Sequence, residues 1–495
     1  MSEQLPPERD DFMPAAGVGA DAPAAPPVPR QLRAGRDLTT GPIFATLVAF
    51  TLPTLFANIL QSMNGSINSI WVAHFLGEAA LAATANANII MFLMFSVIFG
   101  FGMAASVVVG QSFGRGDLTT ARHAFGSALG FCLVLSLLIA VAGYLWSDHI
   151  LATLSTPPEV FKLAKAYLHY TFFGLPAILM FVMVMMGLRG SGDAMTPLWF
   201  MILSVSLDVM LNPVFILGLG PAPRMGIAGS AFASACSAYF SLTAMLAYIY
   251  WRDLPLRLRG HELGYLLPNW GLLKVIAGRG VPMGLQMIIM SLSTLVIIGF
   301  VNREGTATVA AFAASQQLWN YIQMPAMAVG GAVSAMAAQN IGAGRWDRVE
   351  KTTGIATLIN IAITGTLILL IALFDKPILS LFLQGGGEAI AIGSHMMHII
   401  NWSFVLFGIA MVMFGTMRAN GIVLAPLVIL TLSLFFVRIG FYLASYPVLG
   451  VDGLWLSFPA STIVTMLLGW AYYRWGRWRE VTLNVHISPP AKRPA

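Results

Sequence analysis

One carboxylate sits in the middle of an apolar segment that is long enough to span a membrane. The segment runs from Ala194 to Gly218 (AMTPLWFMILSVSLDVMLNPVFILG), and the carboxylate is Asp208. An ionisable group at the centre of a bilayer costs about 2.5–3.5 kcal/mol, so such a residue usually faces a polar cavity. The other acidic residues fall in tails, in loops or at helix ends. We therefore expect Asp208 to exchange a proton or a cation with a water-filled cavity.

Amide side chains accompany this carboxylate. Asn212 follows Asp208 at i+4, on the same helix face. In the first apolar segment Gln61, Asn64 and Asn68 recur at spacings of three or four, which also places them on one face. We expect these four amides to orient the carboxylate and to hydrogen-bond a substrate. Two alternatives stay open: a neutral Asp208 that makes only a structural contact with Asn212 or Asn68, and amides that join helices.

Arg438 is a second ionisable side chain at membrane depth. Counted from Ala425, it lies about 20 Å inside its helix, at 1.5 Å per residue. It can snorkel to the outer surface or pair inside the bundle. If it faces the cavity instead, an anionic head group becomes a plausible cargo.

The elements that must position these residues are membrane helices. Hydrophobic residues make up 57% of the 495 residues and charged residues 10%, with a mean hydropathy of +0.78. These values exclude a soluble globular protein. Apolar runs of about 20 residues recur along the chain, as membrane-spanning helices require. The pattern predicts an all-α membrane protein with twelve transmembrane helices, at 44–73, 81–110, 124–146, 162–187, 194–218, 227–251, 276–301, 309–338, 352–374, 390–416, 425–447 and 453–474.

The remaining segments are polar or basic. Residues 1–41, rich in Pro, Ala and charge, predict a disordered cytoplasmic tail; 252–275 predict a basic cytoplasmic linker, and 475–495 a second cytoplasmic tail. Lys and Arg collect in the tails and in alternate loops, including the loops of Arg189 and Arg418. By the positive-inside rule both termini are cytoplasmic, so the net charge of +6 indicates topology rather than nucleic-acid binding. Cys132 and Cys236 lack metal-ligand spacing, and we expect no metal and no cofactor.

The chain also repeats itself. Sliding it by the separation of Pro53 and Pro282 brings Arg189 of LRGSGD onto Arg418 of MRANG. A shift one residue shorter aligns the loop GQSFGRGD with AQNIGAGRWD. Each repeat holds six predicted spans, so both halves enter the membrane from the same side. We therefore expect two pseudo-symmetric six-helix bundles, 42–251 and 276–474, in a parallel repeat around a central cleft.

At these motifs the sequence resembles a known family. LRGSGDAMTP, from Leu188 to Pro197, is similar to the LRGxGDTxTP loop of the multidrug and toxic compound extrusion (MATE) transporters. LNPVFILGLG at 211–220 and GIAGSAFAS at 226–234 continue the resemblance in register. We expect a multi-pass protein of the bacterial plasma (inner) membrane that functions as a monomer, and two bundles around a cleft have the geometry that alternating access needs. The implied activity is efflux of small organic, often cationic, molecules in exchange for H+ or Na+.

The resemblance is not complete at the functional positions. Prokaryotic members commonly carry an Asp in the first helix where this chain has Asn68, whereas Gln61 matches the accompanying polar position. In the fifth helix many members show Asn and then Asp, but this chain has Asp208 and then Asn212. Met290 stands where the NorM branch has a Glu. What remains resembles the DinF branch more than the NorM branch, with one acid where that branch often has two, and we expect Asp208 to be the coupling carboxylate.

Three rivals differ in class. A lipid-linked or glycolipid flippase of the wider superfamily would use Arg438 for an anionic head group. An intramembrane enzyme would need a catalytic motif, and His261-Glu262 continues as HELGY rather than as a zinc-binding HExxH. A channel fits less well, because duplicated bundles with one cleft acid are typical of a carrier.

Overall fold

The computed structural model describes residues 37–153, 156, 158–383 and 387–480. The first half contains α1 (Ile43–Leu76), α2 (Glu78–Gly114), α3 (Leu118–Leu145), α4 (Ser147–Thr153), α5 (Pro158–Gly190), α6 (Met195–Leu217) and α7 (Ile227–Trp251). The second half contains α8 (Trp270–Val301), α9 (Thr306–Gly342), α10 (Trp346–Leu373), α11 (Asp375–Ser380), α12 (Gly387–Ile400), α13 (Ser403–Ala419), α14 (Leu424–Thr431), α15 (Arg438–Leu449) and α16 (Val451–Trp475). A 3₁₀ helix, Gly260–Leu266, lies between the halves.

A helix stands at each of the twelve predicted spans. In the described part of the chain, ten spans are long and apolar enough to cross a membrane by length and hydropathy alone. The pair α12 and α13, bent by 46°, forms an eleventh. The twelfth, α9, has 37 residues but is rich in Ala and polar side chains, and most of its second half is buried. The structure confirms the predicted all-α architecture, with the two repeats forming two bundles, here named the N lobe and the C lobe.

Two of the C-lobe spans are interrupted where the N lobe has continuous helices. A π-helical segment, Leu432–Val437, separates α14 from α15 and ends directly before Arg438. In the neighbouring span the chain bends after α12, where Asn401 Oδ1 accepts a hydrogen bond of 2.8 Å from Trp319 Nε1. Backbone groups at a bend need partners inside the protein where water is absent, and here the amide of Phe404 donates a hydrogen bond of 3.1 Å to the carbonyl oxygen of Asn401.

The lobes approach closely along α2 and α9. α2 packs against α8 and α9, and α1 packs against α9. A Cβ at Gly114 would overlap the backbone oxygen of Gln339, and a Cβ at Gly342 would overlap that of Gln111. Gly114 and Gly342 correspond in the internal repeat. Only glycine permits this reciprocal contact between backbones.

The described chain begins and ends at one face of the molecule, here named the terminal face. Near its start, Leu38 is buried, and its carbonyl oxygen accepts a hydrogen bond of 3.1 Å from Asn340 Nδ2. Near its end, Trp478 is buried, and its carbonyl oxygen accepts a hydrogen bond of 2.5 Å from Asn420 Nδ2. The described ends of the chain therefore pack onto the C lobe.

The connection between the lobes is fastened to α3. Arg122 Nη1 lies 2.9 Å from Glu262 Oε1, and Arg122 Nε donates a hydrogen bond of 2.8 Å to the carbonyl oxygen of Pro255. Glu262 Oε2 also accepts a hydrogen bond of 2.8 Å from the backbone amide of Arg259. The linker is therefore an ordered part of the N lobe rather than a free tether.

Candidate functional site

Asp208 lies in the middle of α6 and is 1% exposed. Its Oδ2 accepts a hydrogen bond of 2.9 Å from Asn68 Nδ2 of α1. Its Oδ1 accepts hydrogen bonds of 2.9 Å from Ser234 Oγ of α7 and of 3.2 Å from Asn212 Nδ2. Three helices thus converge on one carboxylate, and each provides a donor that suits its charged form.

The amides around Asp208 also form contacts with one another. Asn212 Nδ2 lies 2.8 Å from Asn68 Oδ1 and 3.0 Å from the carbonyl oxygen of Asp208. The Oδ1 atoms of Asn64 and Asn212 are buried, and neither has a hydrogen-bond partner among the described residues. Unpaired buried acceptors are costly, and here they could accept from a protonated carboxyl or hold a cation.

Asp208 opens into a cavity of about 240 Å³, here named the N-lobe cavity. Its polar lining includes Gln61, Asn64, Tyr167, Asp208 and Ser234. Gln61 also lines a second cavity, of about 350 Å³, between the lobes. Asp208 therefore lies in a side chamber that adjoins the space between the lobes.

The second cavity, here named the central cavity, is mostly apolar. Its lining is dominated by flexible or aromatic side chains, chiefly Phe50, Phe95, Phe99, Met103, Met186, Met287, Met324, Met327 and Met411. Two charged side chains also line it, Arg189 from the last turn of α5 and Arg418 from the last turn of α13. The residues that line this cavity come from both lobes.

Arg438 lines a third cavity, of about 460 Å³, here named the C-lobe cavity. Its Nε donates a hydrogen bond of 3.0 Å to Ser461 Oγ, and its guanidinium carbon lies 4.5 Å from the ring centre of Phe458. Met287 and Met327 line both this cavity and the central cavity. The acid and this arginine therefore occupy chambers in different lobes.

The structure brings most of the predicted site residues together. Asn64, Asn68 and Asn212 surround Asp208, and Gln61 stands between two cavities, whereas Arg438 is separate from them. The sequence analysis did not identify Tyr167 and Ser234 as part of the site.

Arg189 and Arg418 are a correction to the sequence analysis. They were assigned to loops as topology charges, but they lie inside helices and line the central cavity. The only signal for a shared role was their alignment in the internal repeat.

The central cavity ends at the terminal face in a reciprocal pair of hydrogen bonds between the lobes. Gln111 Nε2 donates a bond of 2.7 Å to the carbonyl oxygen of Ala419. Gln339 Nε2 donates a bond of 3.0 Å to the carbonyl oxygen of Gly190. The internal repeat relates one of these hydrogen bonds to the other. The two acceptor residues, Ala419 and Gly190, directly follow the two arginines of the central cavity. We name these four residues the glutamine lock.

Comparison with known proteins points to one family. The MatE family model matches the chain twice, over residues 53–214 and 282–443, and the separation of the two matches equals that of Pro53 and Pro282. A probable multidrug resistance protein of Bacillus subtilis (YoeA) is 34% identical over 434 residues, which cover 87% of this chain and 94% of the relative. A FAD transporter of Shewanella oneidensis is 25% identical over 88% of this chain and 95% of the relative.

Solved structures agree in fold. A structure titled as the outward-facing conformation of a multidrug resistance MATE family transporter has a TM-score of 0.82 at 20% identity, over 89% of this chain and 97% of that one. The Vibrio cholerae MATE transporter VcmN in the bent form has a TM-score of 0.79 at 21% identity, over 88% of this chain and 97% of that one.

Proposed function

Because the chain belongs to the MatE family of transporters, we propose that it exports organic, cationic compounds in exchange for H+ or Na+ by alternating access. We place it in the bacterial inner membrane with the terminal face in the cytoplasm, as the distribution of Lys and Arg indicates. With this orientation the glutamine lock would close the cytoplasmic side, and we infer an outward-facing form. The named relatives differ in cargo, so the choice of substrate depends on this chain's own cavities.

The observation that carries this proposal is a buried carboxylate that lines a cavity. A negative charge in a site of low dielectric needs compensation, which a proton, Na+ or an organic cation can each supply. The donors from Asn68, Asn212 and Ser234 stabilise the charged form between these binding events. Proton and cation therefore compete for Asp208. Proton uptake from outside releases the cargo, and proton loss to the cytoplasm prepares the site for the next cation.

The energy available to such an exchange is limited. A difference of one pH unit supplies about 1.4 kcal/mol. Exchange of one proton for one monovalent cation moves no net charge, so the membrane potential does not contribute. One carboxylate then supports roughly tenfold accumulation per pH unit.

Ethidium efflux from proteoliposomes tests this proposal. We expect a pH gradient to drive efflux by the wild type, and Asp208→Asn to abolish the gradient-driven part. Asp148→Asn is the matched control, because Asp148 forms an exposed ion pair with Lys165 outside the cavities. Efflux driven by a Na+ gradient at equal pH would assign the coupling to Na+. Undiminished, gradient-driven efflux by Asp208→Asn would overturn the coupling role of Asp208.

A second candidate function is that of a lipid-linked or glycolipid flippase. The position of Arg438 in the C-lobe cavity favours it, because a guanidinium in a cavity whose described lining includes no acidic residue suits an anionic head group. In cells that lack other drug pumps, loss of ethidium resistance in Asp208→Asn and tolerance of Arg438→Ala support cation efflux. The reverse result supports the flippase.

A further inference from the structure

The central cavity holds two positive charges that no carboxylate balances. Arg189 comes from the N lobe and Arg418 from the C lobe, and the two correspond in the internal repeat. The ion pairs formed by the described residues include neither arginine. Arg189 Nε is buried without any hydrogen-bond partner in the described chain, and Arg418 Nε donates only to the carbonyl oxygen of Phe414 in its own helix.

Asp193, the acidic residue nearest to Arg189 in the sequence, forms its hydrogen bonds with the start of α6. Asp193 Oδ1 accepts hydrogen bonds of 3.1 Å from the amide of Met195 and of 3.0 Å from the amide of Thr196. Its Oδ2 accepts a hydrogen bond of 2.6 Å from Thr196 Oγ1. Asp193 therefore caps the first turn of α6 and leaves the guanidinium of Arg189 free for a ligand.

Other polar groups of the central cavity follow the same two-fold relation. Ser106 of α2 and Ser334 of α9 both line it, and they correspond in the internal repeat. A Cβ built on Gly190, directly after Arg189, would lie 3.0 Å from Ser106 Oγ. Guanidinium and hydroxyl donors thus stand together at the end of the cavity that the glutamine lock closes.

The helix dipole accounts for part of this arrangement. An arginine in the last turn of a helix is favoured by the helix dipole. That effect requires only a guanidinium near the helix end, and it is satisfied equally well by a side chain that points into water outside the protein. It does not explain why both arginines line the apolar space between the lobes without an acidic partner.

We propose that Arg189 and Arg418 form an anion-binding site for the phosphate or carboxylate group of an amphiphilic organic compound. Guanidinium groups bind both of these anions through two parallel hydrogen bonds. The Phe and Met side chains of the central cavity would contact the apolar part, and flexible methionines adapt to varied shapes. The site extends the proposed cargo from cations to organic anions and zwitterions. It rests on the proposed function only for transport, because binding does not require Asp208.

The two arginines belong to different lobes, and this has a mechanical consequence. An anion held by both draws the lobes together next to the glutamine lock. Loading from the cytoplasm would therefore favour closure of the cytoplasmic side behind the cargo.

Equilibrium binding of three coumarins of similar size tests the site. The purified protein in lipid nanodiscs is titrated by calorimetry with 4-methylumbelliferyl phosphate, with the carboxylate 7-carboxymethoxy-4-methylcoumarin and with the uncharged 4-methylumbelliferyl glucoside. We expect at least one anion to bind tenfold or more tightly than the glucoside, and the better of the two identifies the preferred group. Arg189→Gln and Arg418→Gln should each weaken binding of that anion by roughly tenfold, as loss of a charged hydrogen bond implies.

Two controls separate this site from general charge and from the coupling site. Arg303→Gln removes an exposed positive charge in the loop after α8 and should leave anion binding unchanged. Asp208→Asn should also bind the anion, whatever its effect on ethidium efflux, so the two proposals can fail independently. Because Arg189 has no acidic partner, Arg189→Gln should also unfold at or above the wild-type temperature. Equal binding of anions and glucoside, or full anion binding by both arginine variants, would overturn the proposal.

Discussion

Asn68 is the residue that most directly limits the chemistry at Asp208. Its amide nitrogen lies 2.9 Å from Asp208 Oδ2, at the position where the MATE transporters that this chain resembles commonly carry an Asp. The amide can donate a hydrogen bond to Asp208 but cannot carry an exchangeable proton. This chain therefore has one titrating group where two would fit.

We predict that Asn68→Asp makes transport sensitive to the membrane potential. Two carboxylates in contact ionise together only when a cation lies between them, so cation binding would release two protons and cation release would take up two. Exchange of two protons for one monovalent cation moves one net charge, which contributes about 2.3 kcal/mol per 100 mV. Ethidium efflux from proteoliposomes should then respond to a potassium diffusion potential set with valinomycin.

The wild type should not respond to this potential. Asn58→Asp is the matched control, because Asn58 is another amide of α1 but lines the central cavity rather than contacting Asp208. A variant Asn68→Asp that ignores the potential would contradict the prediction.

The sequence predicted individual site residues where a charged side chain lay at an unusual depth in a predicted membrane span. Asp208 was identified because no other acidic residue falls in mid-span, and its amide neighbours because they share helix faces. Arg189 and Arg418 were not identified as site residues, because a charged residue at a helix end is equally consistent with a role in membrane topology. Whether such a guanidinium turns into the cavity depends on side-chain direction, which sequence spacing does not specify.

At the scale of elements, the linker between the lobes is held by one partly buried ion pair. The side chains of Arg122 and Glu262 are 13% and 11% exposed. The pair fastens the 3₁₀ helix to α3, as described above. The sequence predicts a linker between the bundles, but no sequence pattern indicates its attachment to α3.

We predict that Glu262→Gln lowers the free energy of unfolding by about 1–3 kcal/mol, because Arg122 is left without a charged partner. Thermal unfolding in detergent measures this change. Glu350→Gln is the control: its carboxylate pairs with Arg479 at 2.9 Å, but both side chains are well exposed, so the loss should be below about 1 kcal/mol. Equal shifts in both variants would show that the linker contributes no special stability.

The interruptions in two helices of the C lobe were not predicted from the sequence either. The π-helical segment before Arg438 contains no Gly or Pro that would signal a break at this point. At the bend after α12, Asn401 accepts a hydrogen bond from Trp319, which is distant in the sequence. Hydropathy locates a span, but the partners that permit a bend come from other helices.

At the scale of the whole molecule, the internal repeat makes closure a symmetric event. Gln111 bonds from the N lobe to the C lobe, and Gln339 bonds in the opposite direction. The repeat itself was readable from the sequence, and it predicted the two bundles and the cleft. The conformation could not be predicted from the sequence, because a transporter that works by the proposed alternating access adopts both an outward-facing and an inward-facing form.

We predict that Gln111→Ala and Gln339→Ala shift the equilibrium away from the closed terminal face by similar amounts. Each removes one hydrogen bond between the lobes, worth about 1 kcal/mol, or roughly a fivefold change in population. The double variant should approach the product of the two effects. Spin-label distances across the terminal face measure these populations.

Gln286→Ala serves as the control for the loss of a glutamine, because its Nε2 bonds to Val423 within the C lobe. If one of the two variants, Gln111→Ala or Gln339→Ala, abolishes closure and the other has no effect, the two hydrogen bonds do not contribute equally to closure and the prediction is wrong.

The position of Gln61 has a further consequence for how cargo and proton exclude each other. This side chain borders both the chamber of Asp208 and the central cavity. A bulky molecule lodged against it would close the passage between these two cavities. If protons reach Asp208 through this passage, such a molecule would block protonation without contacting Asp208. Steric obstruction alone would then make binding of the cargo and of the proton mutually exclusive.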